Sequence, residues 1–227
     1  MNTLIVPEGT QHLVVQEIGE ELIVEKNASC IWVDKPTANK NIKITLKENS
    51  QLKRIIINID PKQYREEVTY ILEGKKAKLQ EKRLILTNHG ENYNKIFVNH
   101  IGEETESDIQ IRSIQKGNSR NTIHAFLKVE QSGTNASTNL NSQTLLVEKQ
   151  SYAQVLPGLE ILTANVKKAR HAATTSNLDE AMIFYLTSRG LTEQEAKAMI
   201  VKGMVESLFE ETTEVMPQVE QWLSSIQ

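Results

Sequence analysis

From Leu4 to about Ala169 apolar residues alternate with polar ones or gather in short blocks. Leu13–Ile18, Leu22–Val24, Ile42–Leu46, Ile55–Ile59, Val68–Leu72 and Leu84–Leu86 begin the series. Ile96–Val98, Ile109–Ile114, Ile123–Val129, Leu145–Val147 and Leu159–Leu162 continue it, and Ala28–Trp32 reads as a further apolar strand. Alternation at period two predicts strands whose side chains point to opposite faces. Polar clusters such as Lys47–Ser50, Asn88–Asn94 and Gln115–Asn121 separate them, and Pro61–Glu67 reads as a turn. Strand centres recurring roughly every 12 to 15 residues suit an all-β sandwich, barrel or solenoid. No Asn-Gly or Asp-Gly hairpin signal occurs, which speaks against a sandwich. Regular polar corners speak for stacked coils. The pattern alone divides evenly between the two.

Helical spacing begins only at Leu178. Asp179 and Glu180 place negative charge at a helix start, Ala181, Phe184 and Tyr185 repeat at helical spacing, and Gly190 follows Arg189 as a stop. Thr192-Glu193-Gln194-Glu195 has the form of a capping box. After it, Ala196, Met199, Ile200, Gly203, Met204 and Leu208 are expected on one face. Helices are therefore expected over 178–188 and 192–210. Such a hairpin either packs on its own core or, being rich in methionine, docks a partner. The last stretch, Thr212–Gln227 with Val215, Val219 and Trp222, suits either a helix covering an end of a solenoid or a loosely held tail.

Composition narrows the function. The chain has 227 residues, 39% hydrophobic and 24% charged, with a formal net charge of −3, which disfavours a general nucleic-acid binder. The opening MNTLIVPEGTQHL lacks a signal-peptide pattern, and no apolar run approaches the roughly 18 residues of a membrane span. One cysteine, Cys30, excludes an internal disulfide framework, so the cytoplasm is the expected compartment. Phosphate-binding loops, nucleophile elbows, paired zinc histidines and Cys-x-x-Cys are absent. A non-enzymatic role is expected, with any ATPase supplied by another subunit. Glu66-Glu67 and Glu103-Glu104 are sequence neighbours that point apart on a strand, and they read as surface solubility. A carbohydrate-active β-solenoid is the enzyme alternative, disfavoured by 5% aromatic content and by the lack of a carboxylate cluster.

Three ordered motifs resemble a known family. Pro157-Gly158-Leu159-Glu160-Ile161, then His171-Ala172-Ala173-Thr174-Thr175-Ser176, then Phe184-Tyr185-Leu186-Thr187-Ser188-Arg189-Gly190 are similar to the C-terminal signature of the SufB/SufD scaffold subunits of the SUF iron–sulfur cluster assembly machine. The resemblance implies a right-handed parallel β-helix over 1–177 and a C-terminal α-helical segment over 178–227 that docks a SufC-like ABC ATPase. Phe184, Tyr185, Leu186, Arg189, Gly190, Met199, Gly203 and Met204 are the docking residues it points to. It also implies a homodimer or a heterodimer with a SufB/SufD-like subunit, neither nucleic acid nor membrane being a partner. Family members usually carry a helical domain before the β-helix, and this chain looks like a minimal version without it.

His171 is the one candidate metal ligand, because it alone of the five histidines falls on the family motif. The departures are Ala172, where SufB-like members have Glu, Ala169, where SufD-like members often have Cys, and no Cys in Asn139–Val147. One imidazole without a thiolate is expected to contribute a single ligand to a transient iron–sulfur cluster at a shared interface, with none held tightly by this chain alone. Its structural alternative is a hydrogen bond at a strand-to-helix corner. A stand-alone interaction module without iron chemistry is the remaining reading. Cys30, on its apolar strand, is expected to be a buried small hydrophobe.

Overall fold

The computed structural model describes residues 3–15, 17–209 and 216–224. Successive strands alternate between two seven-stranded parallel sheets. The first runs in the order β1 (Thr3–Val6), β3 (Glu21–Val24), β5 (Lys40–Leu46), β7 (Gln63–Leu72), β9 (Glu91–His100), β11 (Arg120–Val129) and β13 (Tyr152–Ile161). The second runs β14 (Val166–Asn177), β12 (Ala136–Leu146), β10 (Glu106–Gln115), β8 (Lys78–Thr87), β6 (Gln51–Ile59), β4 (Ser29–Asp34) and β2 (Leu13–Val15). Each coil thus supplies one strand to each sheet, and every strand pairs with those two positions away in sequence. This is a parallel β-solenoid followed by helices, and a sandwich of hairpins is excluded. The coils broaden along the chain, from β1 (Thr3–Val6) and β2 (Leu13–Val15), through β4 (Ser29–Asp34) and β5 (Lys40–Leu46), to β7 (Gln63–Leu72), β8 (Lys78–Thr87), β10 (Glu106–Gln115), β12 (Ala136–Leu146), β13 (Tyr152–Ile161) and β14 (Val166–Asn177). The expected turn over Pro61–Glu67 is instead mostly the start of β7.

Polar residues make the corners. Asn27, Asn49, Lys76, Glu104 and Asn135 all have positive φ, between 54° and 58°, at equivalent turns leading from the first sheet to the second. Each donates its backbone N–H to the corner one coil further on, as in Asn49 to Lys75 O at 2.9 Å and Glu104 to Thr134 O at 2.8 Å. The parallel ladder therefore continues through the bends. Corners also touch backbone to backbone. A Cβ at Gly102 would lie 2.4 Å from the Gly74 carbonyl oxygen, so this approach requires glycine.

Two apolar clusters hold the fold. The first lies between the sheets and includes Leu22, Trp32, Ile44, Leu72, Val98, Ile111, Leu127 and Leu140. The second lies on the outer face of the second sheet. There Ile57, Leu84, Leu86, Ile114 and Leu145 meet Val201, Val205, Leu208, Val219 and Trp222 of the helices. The strands at its centre are consequently buried on both faces, as in Leu84–Thr87 of β8. The helices are α1 (Glu180–Ser188), α2 (Glu193–Glu206) and α3 (Met216–Ser224). The last helix packs on this sheet face through Val219 and Trp222 rather than over a solenoid end, because the outward Ile/Leu row offers more apolar area. α2 ends at Glu206 with Ser207 as its C-cap, short of the expected Glu210, and Glu210 and Val215 themselves lie outside the described residues.

The interior also holds charge. Glu66 is fully buried, not a surface residue, while Glu67 beside it is on the outer face. Its carboxylate pairs with Arg54 and Arg83, both at 2.5 Å. Arg54 also reaches Asp34 at 2.7 Å, and Arg83 reaches Glu81 at 2.9 Å and Asn94 Oδ1 at 2.6 Å. Tyr70 accepts from Arg54 at 3.0 Å and donates to Glu81, and the Arg54 guanidinium lies 4.0 Å from the Trp32 ring centroid. Burial alone would raise the Glu66 carboxyl, but the two guanidinium groups hold it down at about 2.

Candidate scaffold and docking surfaces

β14 is the last strand of the second sheet and pairs on one side only, with β12. Its small residues let it lie flat as a terminal rung, and its other edge offers unpaired backbone groups. His171 sits opposite Leu140, which continues the inward row Trp32–Arg54–Glu81–Ile109 through the coils below. Among the described residues no further coil covers that row, so His171 is exposed at the open end of the solenoid. It lies within the strand rather than at a strand-to-helix corner. Ala169 and Ala173 flank it on the same side of β14, and neither supplies a donor. Among the described residues no group of three or more His, Cys, Asp or Glu is placed to hold a metal ion.

The other histidines differ. His12 and His89 are at corners, and His124 tilts against Tyr93 at 5.5 Å. His100 is fully buried, with ring nitrogens 2.8 Å from Thr105 Oγ1 and 2.9 Å from Ser107 Oγ, and burial holds its imidazole at about 4. Cys30 is buried in the inter-sheet core, where desolvation pushes its thiol up to about 11. It is therefore an uncharged thiol at neutral pH and a poor ligand.

The helical pair follows its local signals. Asp179 caps α1 by accepting from Ala181 N at 2.9 Å. Gly190 ends it at φ +97°, a conformation suited to glycine. Thr192 and Glu195 form the reciprocal capping box, at 3.2 and 2.7 Å. What the pair exposes is unusual. α1 buries none of its residues, and Phe184 is 73% and Tyr185 55% exposed. Met182 and Met199 are also exposed, and Arg189 lies 5.0 Å from the Tyr185 ring centroid. Leu186 is half-buried, and Gly203 borders open space.

The face expected on α2 is divided. Ala196, Val201, Val205 and Leu208 are buried, Ile200 and Met204 pack against the outer cluster, while Met199 and Gly203 face away. The broad apolar sheet, not the methionines, selects the buried side, and the β-branched pair Val201–Val205 is the signal that marks it. The structure thus keeps Phe184, Tyr185, Arg189 and Met199 on the surface and assigns Met204 to packing. Sequence reasoning did not single out Met182.

The profile described as the SUF system FeS cluster assembly, SufBD core domain, matches residues 11–204. The chain belongs to the SufBD family. It is 28% identical over 198 residues to the iron–sulfur cluster assembly protein SufB of Bacillus subtilis, an alignment spanning 84% of this chain and 42% of that protein. A SufBD family protein of Mycobacterium tuberculosis is 34% identical over 112 residues, 49% of this chain and 13% of the relative. One from Synechocystis is 30% identical over 112 residues, 49% of this chain and 23% of the relative. The chain therefore spans less than half the length of these curated relatives. Among the described residues no helix is long and apolar enough to cross a membrane.

Proposed function

We propose that this SufBD-family chain is a non-catalytic scaffold subunit in iron–sulfur cluster assembly that docks an ABC-type ATPase through α1 and the adjoining face of α2. The observation that carries the reading is the exposed Phe184–Tyr185 face on a helix that buries none of its own residues. A well-capped, rigid helix presenting an aromatic anchor beside Met182 and Met199 is what helix-in-groove recognition requires. A second SufB/SufD-like subunit meets the open end of the solenoid, where β13 and β14 present free edges and exposed Leu156, Ile161 and Leu162. The nascent cluster is cargo at that shared interface, and His171 contributes one ligand, with thiolates coming from the partner subunit. The ATPase then acts mechanically, shifting the scaffold pair between two arrangements by binding them unequally.

The test is co-expression with the host's SufC-like ATPase, followed by light scattering on the eluted complex. Wild type is expected to give a stoichiometric complex. Phe184→Glu with Met199→Glu is expected to abolish it while the circular dichroism of the β region stays unchanged. A retained complex refutes the docking face. On anaerobic loading with a thiolate-bearing SufB/SufD-like subunit, His171→Ala is expected to lower bound iron and Cys30→Ser to leave it unchanged. Unaltered iron in the His171 variant would leave an interaction module without iron chemistry.

A further inference from the structure

The outer face of the second sheet is only half covered by helices. The other half is a groove of about 670 Å³ running from His12 and Ile31 to Asn139 and Lys168. Its floor is set by register. One row runs Gln51–Lys78–Glu106–Ser137–Lys168, and the next runs Lys53–Gln80–Asp108–Asn139–Arg170. At about 4.8 Å per strand, the rows carry charge and amides across about 20 Å.

The balance of charge in this groove is opposite to that of the chain. Lys53 and Lys168 line it with no ion pair among the described residues, and Arg170, at the far end of the Lys53 row, also has none. Both lining acids have partners on the groove floor, but only Glu106 has an ion pair. Glu106 pairs with Lys78 at 3.2 Å, and Asp108 accepts from Gln110 at 2.8 Å and Asn139 at 2.7 Å. Where the groove meets the helices, Lys82 sits beside the lining residue Gln110. Lys82 is 8% exposed with no ion pair or hydrogen bond among the described residues. Arg112, two residues beyond Gln110 on the same face, is 7% exposed, and its partners are all neutral: Ser207 Oγ at 3.2 Å, Asn141 Oδ1 at 3.0 Å and its neighbour's carbonyl Ile111 O at 3.1 Å. Neither cation at this end of the groove is met by a carboxylate among the described residues.

We propose that this groove binds an acidic polypeptide segment, with its lysines pairing to carboxylates and Lys82 anchoring the end beside the helices. The side-chain amides of Gln51 and Gln80 suit the backbone of an extended chain. The lining contains one imidazole, His12, and no Phe, Tyr or Trp, so it lacks the stacking platforms that single-stranded nucleic acid uses. The groove is distinct from the exposed α1 face, and its test is independent of ATPase docking.

The probe is a fluorescein-labelled deca-glutamate peptide, followed by anisotropy with the intact chain. Saturable binding is expected, weakening as salt rises. Lys53→Glu with Lys168→Glu, both at solvent-accessible positions, is expected to weaken it at least about tenfold with unchanged circular dichroism. Lys82→Met, which keeps the length of the side chain and removes its charge, is expected to weaken it about fivefold with Tm unchanged. A purely structural lysine would instead lose stability on substitution. The proposal is overturned if wild type does not bind or if the double variant binds as well. It is equally overturned if inorganic phosphate or oligothymidine displaces the peptide at concentrations near the peptide's own Kd.

Discussion

The middle coils and the terminal coil use the same strand geometry for opposite ends. Around Arg54, Glu66, Glu81 and Arg83, every charge is enclosed and answered by another, and Trp32 and Tyr70 close the gaps. At β14 and α1, imidazole, aromatic and methionine side chains are left on the surface. A coil between two neighbours must satisfy its groups internally. The last coil has only one neighbour, and its reactive and apolar groups stay uncovered by a further coil. Enclosed charge is thus concentrated in the middle, and under the proposed function recognition falls to the end.

The comparison breaks most easily from the inside. Arg83→Ala leaves Glu66 and Glu81 in an apolar interior with one cation fewer, and is expected to cost about 3–5 kcal/mol, read by urea denaturation. Acid is next. Glu66 ionises in the folded state at about 2 against an ordinary 4.5, so its stabilisation is complete above 4.5 and lost as pH falls toward 2. That amounts to about 3 kcal/mol. His100 is depressed to about 4 from 6.5, so its contribution is complete above 6.5 and declines as pH falls through 4. Denaturation midpoints should therefore decline in two overlapping windows, and His100→Gln should flatten the upper one. A flat profile between pH 6.5 and 4 in wild type would sink this assignment.

Smaller effects sharpen the contrast. Thr192→Ala removes the α2 cap and is expected to cost about 1 kcal/mol, measurable as a lower Tm. Phe184→Glu, on a side chain 73% exposed, is expected to change stability by less than about 0.5 kcal/mol. A larger loss would mean that α1 packs on its own protein, and the docking face would fall with it.

The strands were legible because alternation at period two is a local property. The capping box, the Gly190 stop and the burial of Cys30 were legible for the same reason. Glu66 was not, since its alternation is identical to that of a surface carboxylate and only Arg54 and Arg83, on other strands, make its burial tolerable. Nor was the division of α2, because Met199 and Val201 are equally apolar and the sheet chooses between them. The choice between solenoid and sandwich also lay beyond the pattern: both bury alternate residues, and pairing between strands two apart is a non-local fact. The sequence by itself determined strands, caps, the helix boundary and the family signature. Tertiary structure alone decided which charges are enclosed, which helix face is free, and that His171 stands at the open end. Each of these depends on what a neighbouring coil or helix leaves uncovered.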